Sequence, residues 1–244
     1  MSSSKFEIFE WETFYIVTTH KVASSKVATV FRESNGIKHF LFTPSSYESL
    51  IFEFINEIDK NKKVYFLIRN PIDRFFSSKF QEYQTDSNFN YNIGDDFETK
   101  EVTAGDIKYY NNIINLESSN LDINDIFIKY KKDSTFIKVF LAVVFHYINN
   151  NIVSNNEHNT IYLPIIYLLH KSNKFKSYLF NINNNVETIF KIEKIDTSLV
   201  GNSYINSKPD VTSFLKTELI ENKYIIRLVE YEKIFYDLLD TKVI

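Results

Sequence analysis

The sequence predicts an α/β fold, a three-layer arrangement with a central parallel sheet flanked by helices. Two short apolar runs carry that reading, residues 14–18 (FYIVT) and 64–68 (VYFLI). Each is followed by a polar turn and then by apolar residues at helical spacing. Between them lies an amphipathic helix, and strand–helix–strand–helix alternation implies parallel strands with helices packed on them.

In chain order, residues 1–12 read as a short lead-in, followed by the strand at 14–18. Next comes a loop containing His20, Lys21, Val22, Ala23, Ser24 and Ser25, then a helix with Val27, Ala28 and Phe31 on one side. A lysine, two hydroxyls and a row of N–H groups at a helix start suit a diphosphate-like anion. The usual nucleoside-triphosphate loop, G-x-x-x-x-G-K-[ST], is absent. Residues 39–42 (HFLF) form a second expected strand. A helix over 45–59 places Tyr47, Leu50, Ile51, Phe54, Ile55 and Ile58 at helical spacing, with Ser45 and Glu48 in a capping-box pattern.

The strand at 64–68 runs into Arg69, turns at Asn70-Pro71 and continues as a helix bearing Phe75, Phe76 and Phe80. Proline fits a first helical position because its missing N–H has no partner to lose there. Ligands of open α/β sheets bind beyond the carboxyl ends of the strands. Arg69 at such an end, with the Ser77 hydroxyl two turns into the helix, suits a phosphate monoester.

Residues 84–100 read as a polar loop, 103–116 and 133–149 as helices, and 149–159 as an Asn-rich loop holding His158. An apolar run with Pro164 follows, and later a loop at 201–208 (GNSYINSK). Thr212 is placed to cap a helix with Phe214, Leu215 and Leu219, and a last helix runs over 224–239.

The 244 residues suffice for one α/β domain with a sizeable core, and without a Gly/Ser-rich or Pro-rich linker the expectation is a single domain over 1–244. A net charge of −3 disfavours a general nucleic-acid role and requires any anion site to be a local concentration of basic groups. The chain has no cysteine, which excludes disulfides and thiolate metal sites. No apolar leader core or run of membrane-spanning length is visible, so the expectation is a soluble, cytoplasmic protein without a membrane span.

The two loop motifs together resemble the sulfotransferases that use 3′-phosphoadenosine 5′-phosphosulfate (PAPS), especially the carbohydrate sulfotransferase branch. Lys21-Val22-Ala23-Ser24-Ser25 looks like the family's first motif, which holds the 5′-phosphosulfate. Residues 69–77 (RNPIDRFFS) look like its second, Arg-Asp-Pro-x-x-Arg-x-x-Ser, with Asn70 in place of the Asp. Residues 186–193 (VETIFKIE) look like the family's late strand, and residues 231–235 (YEKIF) like its closing region; the resemblance, which implies a P-loop-like fold, is strongest over residues 14–83. It implies PAPS as co-substrate, no metal, and a hydroxyl acceptor, first of all on a carbohydrate. It also implies roles for particular residues. Lys21 would act on the transferring group. Val22, Ala23, Ser24, Ser25 and Lys26 would surround the 5′-phosphate, and Arg69, Ser77, Ser207 and Lys208 the 3′-phosphate. The family's acceptor base is a His or Glu, for which Glu48, His158 and His39 are the candidates, with His20 behind them. The alternative from another class is a non-catalytic nucleotide-binding or interaction protein that keeps the anion loops. A nucleotide kinase with a degenerate phosphate loop ranks last, because the glycines that would wrap a triphosphate are missing.

Overall fold

The computed structural model describes residues 6–19, 22–42, 47–85, 102–159, 162–182, 186–197, 209–219 and 223–239. In chain order the elements are β1 (Phe6–Glu10), β2 (Phe14–Thr18), α1 (Ser24–Glu33), β3 (Lys38–Phe42), α2 (Tyr47–Glu57), β4 (Lys63–Ile68) and α3 (Pro71–Thr85). There follow α4 (Ala104–Glu117), α5 (Ile123–Tyr130), α6 (Ser134–Asn159), α7 (Tyr162–Lys171), β5 (Lys176–Asn181), α8 (Glu187–Ile192), α9 (Pro209–Leu219) and α10 (Lys223–Leu239).

The strands form one sheet of order β3-β1-β2-β4-β5. β2, β4 and β5 are parallel neighbours, whereas β1 runs antiparallel to both β2 and β3. The sheet is therefore mixed, which corrects the expectation of a wholly parallel one. The stretch expected to be a lead-in is the cause. Phe6, Ile8, Phe9 and Trp11 are all buried, and the Trp11 amide donates to the Phe14 carbonyl at 2.8 Å to close a hairpin onto β2. Side chains alternate across the pleat. On one face Phe9 and Trp11 meet Phe31 of α1, and Trp11 meets Phe190 of α8. On the other, Phe6 meets Tyr162 of α7 and Phe66 meets Phe54 of α2. Helices thus cover both faces of a mixed sheet.

The chain divides into two compact units. The first comprises Met1–Arg74, Asn156–Asn206 and Ile226–Ile244 and contains the whole sheet. The second comprises Phe75–Asn155 and Ser207–Ile225 and is helical among its described residues. Its core is aromatic: Phe140 packs on Phe80, Tyr83, Phe127 and Phe136, and Phe127 on Phe214 of α9. Thr103 opens α4 with a reciprocal capping box to Asp106.

Three further expectations are corrected. Residues 186–193 hold helix α8 with its caps, not a strand, because Val186, Ile189 and Phe190 fall on one buried face. The last strand of the sheet is β5, which no sequence signal had marked. The backbone of 149–159 is helical and prolongs α6 rather than forming a loop. Thr212 lies inside α9, which begins at Pro209. The polar stretch 86–100, Ser45 and the loop 201–208, with Ser207 and Lys208, lie outside the described residues.

Candidate anion site at the carboxyl ends of β2 and β4

β2 and β4 are hydrogen-bonded neighbours running in the same direction, in the register Val17↔Phe66. Their last residues, Thr18 and Ile68, therefore end on one sheet edge, with the loops that follow about one strand spacing (~4.8 Å) apart. The connection from β2 passes through α1 to β3 on one side, while β4 leads on to β5 on the other. Adjacent parallel strands whose connections depart in opposite directions leave a crevice between their loops, and open α/β sheets bind ligands there.

The first loop is tightly wound. The buried Thr18 hydroxyl donates to the Val22 carbonyl, and the Val22 amide donates to the Thr19 carbonyl at 3.1 Å. Val22 is fully buried and its N–H is spent inside the turn, so neither its side chain nor its amide faces a ligand. Ala23 takes a left-handed conformation (φ 58°, ψ 19°) and starts α1 with no side-chain cap. The opening amides of a helix have no carbonyl within the helix to bond, so those of Ser24, Ser25 and Lys26 form the donor row expected at a helix start. Ser24 is half-buried and Ser25 exposed. The Lys26 ammonium is held by Glu187 of α8 at 2.5 Å, which leaves its amide as the group directed to the helix start. Lys21 and His20 lie outside the described residues.

The second loop is just as defined. Asn70 Oδ1 accepts the Ile72 amide at 2.9 Å, and the Asn70 carbonyl accepts the Arg74 amide at 2.9 Å. Asn70 thus caps α3, with Pro71 in the first helical position. An aspartate would accept the same bond, so the Asn-for-Asp difference leaves this turn intact. Arg69 is half-buried, and desolvation lowers its guanidinium from the usual value, against the pull of Asp73. Ser77 is half-buried on α3 and falls in the second unit, whereas Arg69 falls in the first.

Behind this turn lies a buried polar set that includes two residues given no role at the sequence level, Arg74 and Tyr162. The Arg74 guanidinium donates to the Glu232 carboxylate of α10 and lies 5.6 Å from the centre of the Tyr162 ring. The Tyr162 hydroxyl donates to the Leu67 carbonyl of β4. Burial pushes the Glu232 carboxyl up, opposed by Arg74 and by the Leu163 and Tyr162 amides at the start of α7. The sequence signal was available in part, since Arg74 is the second arginine of the motif and Glu232 belongs to the late Tyr-Glu-Lys-Ile-Phe segment.

Among the base candidates, His39 is exposed on edge strand β3 and stacks on Phe9 at 4.3 Å between ring centroids. It stands three residues short of the strand end and two strands from β2, so it is not brought to the loop edge. The backbone of Glu48 lies in the first turn of α2 and that of His158 at the end of α6, while their side chains are outside those described.

A recess of about 590 Å³ opens at the opposite edge, where β2, β4 and β5 begin. Its lining includes four lysines and three carboxylates, with Lys62 paired to Glu10 and Lys63 to Glu193. No described helix is long and apolar enough to cross a membrane. Compared with protein-family models, curated proteins and solved structures, the chain matches none of them.

Proposed function

We propose that this chain is a PAPS-dependent sulfotransferase of three-layer, P-loop-like architecture, acting in the cytoplasm on an acceptor hydroxyl, first of all that of a carbohydrate. The observation that supports this reading best is the parallel pairing of β2 with β4. It brings the ends of the two motif-bearing strands to one crevice at the switch point of the sheet. One loop ends in the α1 amides, suited to a 5′-phosphate, and the other begins with Arg69, suited to a 3′-phosphate.

In the proposed reaction the acceptor oxygen attacks sulfur in line, and the bond from sulfur to the bridging oxygen of the 5′-phosphate breaks. The acceptor proton passes to a base, for which Glu48 and His158 remain the candidates, with His20 behind them, and adenosine 3′,5′-bisphosphate leaves. Lys21 neutralises charge growing on the bridging oxygen, with Ser24, Ser25 and the α1 amides holding the phosphate. Preorganised donors aimed at developing charge supply much of the acceleration in such transfers. Ser77, Ser207 and Lys208 complete the 3′-phosphate contacts in this reading.

Calorimetry tests the binding half. Adenosine 3′,5′-bisphosphate should bind more tightly than AMP, and Arg69→Ala should remove that preference, because a charged hydrogen bond contributes about 1.5–3 kcal/mol. Equal losses for both nucleotides would sink the 3′-phosphate assignment. Turnover tests the chemical half. Lys21→Ala should lower it by about a few hundred-fold, the effect of losing a donor to transition-state charge. Full activity in that variant would overturn the mechanism. The non-catalytic alternative draws on one observation: His39, the one base candidate whose side chain is described, is not brought to the crevice. It predicts nucleotide binding with no release of bisphosphate from PAPS across an acceptor panel.

A further inference from the structure

We propose that Glu232 is a positioning residue for this site: through Arg74, and with Tyr162, it fixes the turn that presents Arg69 to the 3′-phosphate. The proposal rests on the nucleotide reading above. It concerns residues outside the ligand contacts that reading names.

The turn after β4 is anchored on both sides by one buried polar set. On the strand side, the Leu67 carbonyl accepts the Tyr162 hydroxyl. On the helix side, the Arg74 amide bonds the Asn70 carbonyl while its guanidinium is held by Glu232 and lies over the Tyr162 ring. Arg69 and Asn70 lie between these anchors. Elements β4, α3, α7 and α10 therefore meet behind this turn. The side chains of Arg74 and Glu232 are 8% and 3% exposed, so the pair is almost wholly desolvated.

Physical chemistry argues against reading this pair as a device for stability alone. Removing two charges from water costs several kcal/mol each, and well-packed apolar replacements of a buried pair are often neutral or stabilising. A buried pair does supply direction. A guanidinium held by a carboxylate on one side and an aromatic ring on another has little rotational freedom, and its backbone is the third hydrogen-bonded residue of the turn. A site that must separate a 3′-phosphate from solvent needs Arg69 held to within a fraction of an ångström (~0.5 Å), which supporting contacts provide.

The test uses the full chain with Glu232→Gln, and with the paired replacement Arg74→Met/Glu232→Leu, which removes the ion pair without leaving one charge buried. Amide hydrogen exchange is followed at Ile72 and at position 74, whichever residue stands there, since both N–H groups bond Asn70, against Val27, whose N–H bonds the Ala23 carbonyl. The expected result is exchange faster by about tenfold or more at Ile72 and position 74, with Val27 unchanged, as local opening requires. In calorimetry the affinity ratio of adenosine 3′,5′-bisphosphate to AMP should fall by about tenfold while AMP binding holds, a loss of roughly 1.4 kcal/mol. Unchanged exchange in a folded paired variant overturns the proposal, as does equal weakening of both nucleotides. If the unmodified protein shows no preference for the bisphosphate, the functional reading fails by itself, and the exchange arm alone decides whether Glu232 fixes the turn.

Discussion

Gly36 shows how little room single residues have where α1 turns back into β3. A Cβ built there would lie 2.1 Å from the Phe31 ring. That ring cannot simply retreat, because it packs against Phe9, Trp11 and His39. Gly36→Ala should therefore destabilise the protein by about 1–3 kcal/mol, the usual cost of overpacking a filled core. A melt in denaturant reads this directly, and an unchanged midpoint would mean that α1 moves freely against the sheet. Ala23 is the opposite case: a residue with a Cβ occupies a left-handed conformation usually left to glycine. The candidate anion loop was legible through Lys21, Ser24 and Ser25, whose side-chain chemistry is visible in one dimension. The bend at Ala23 was not, since nothing in an alanine announces a positive φ. Nor was the loss of the Val22 amide to Thr19, because a residue type does not say where its backbone N–H goes.

At the scale of elements, legibility followed hydrophobic period and failed where two periods compete. β2, β4 and the helices after them were readable because burial switches cleanly from a continuous apolar run to helical spacing. Residues 186–193 are rich in β-branched and aromatic types, yet Val186, Ile189 and Phe190 share one face and the segment folds as α8. β5 escaped notice because lysine and asparagine bound it and only Leu179 and Phe180 are buried. It is tied to α7 by a contact that carries a pH dependence. His170 Nδ1 lies 2.8 Å from the Ser177 hydroxyl oxygen. Burial, with Lys171 adding, holds the imidazole below its usual pKa of 6.5. A histidine whose folded pKa is depressed contributes stability above its unfolded pKa and loses it as pH falls through the lowered value. Melting temperatures should therefore drop as pH falls below about 6.5. In His170→Gln the drop should be shallower, with the two profiles converging at low pH. Parallel profiles would remove His170 from the acid response.

At the scale of the whole molecule, the chain crosses between its two units inside α3, α6 and α10, and at residues 206–207. Composition shows no linker because three of these four crossings are helical. The other feature hidden from composition is β1. Glu7 and Glu10 interrupt its apolar residues, so the opening reads as polar, although Phe6, Ile8, Phe9 and Trp11 are all buried. Placement makes β1 indispensable, for it lies between β3 and β2 and is the strand that β3 pairs with among the described residues. Deleting residues 1–12 removes four large buried side chains, each contributing about 1.5–3 kcal/mol, or roughly 6–12 kcal/mol in all. Domain stabilities are about 5–15 kcal/mol, so the deletion should abolish cooperative folding of the sheet. Phe9→Ala is the graded version and should cost about 3–5 kcal/mol while leaving a foldable chain. Far-UV circular dichroism and thermal melts of both variants read the difference. A lead-in would predict a deletion variant that melts cooperatively at the original temperature, and that result would show that the sheet closes without its antiparallel strand.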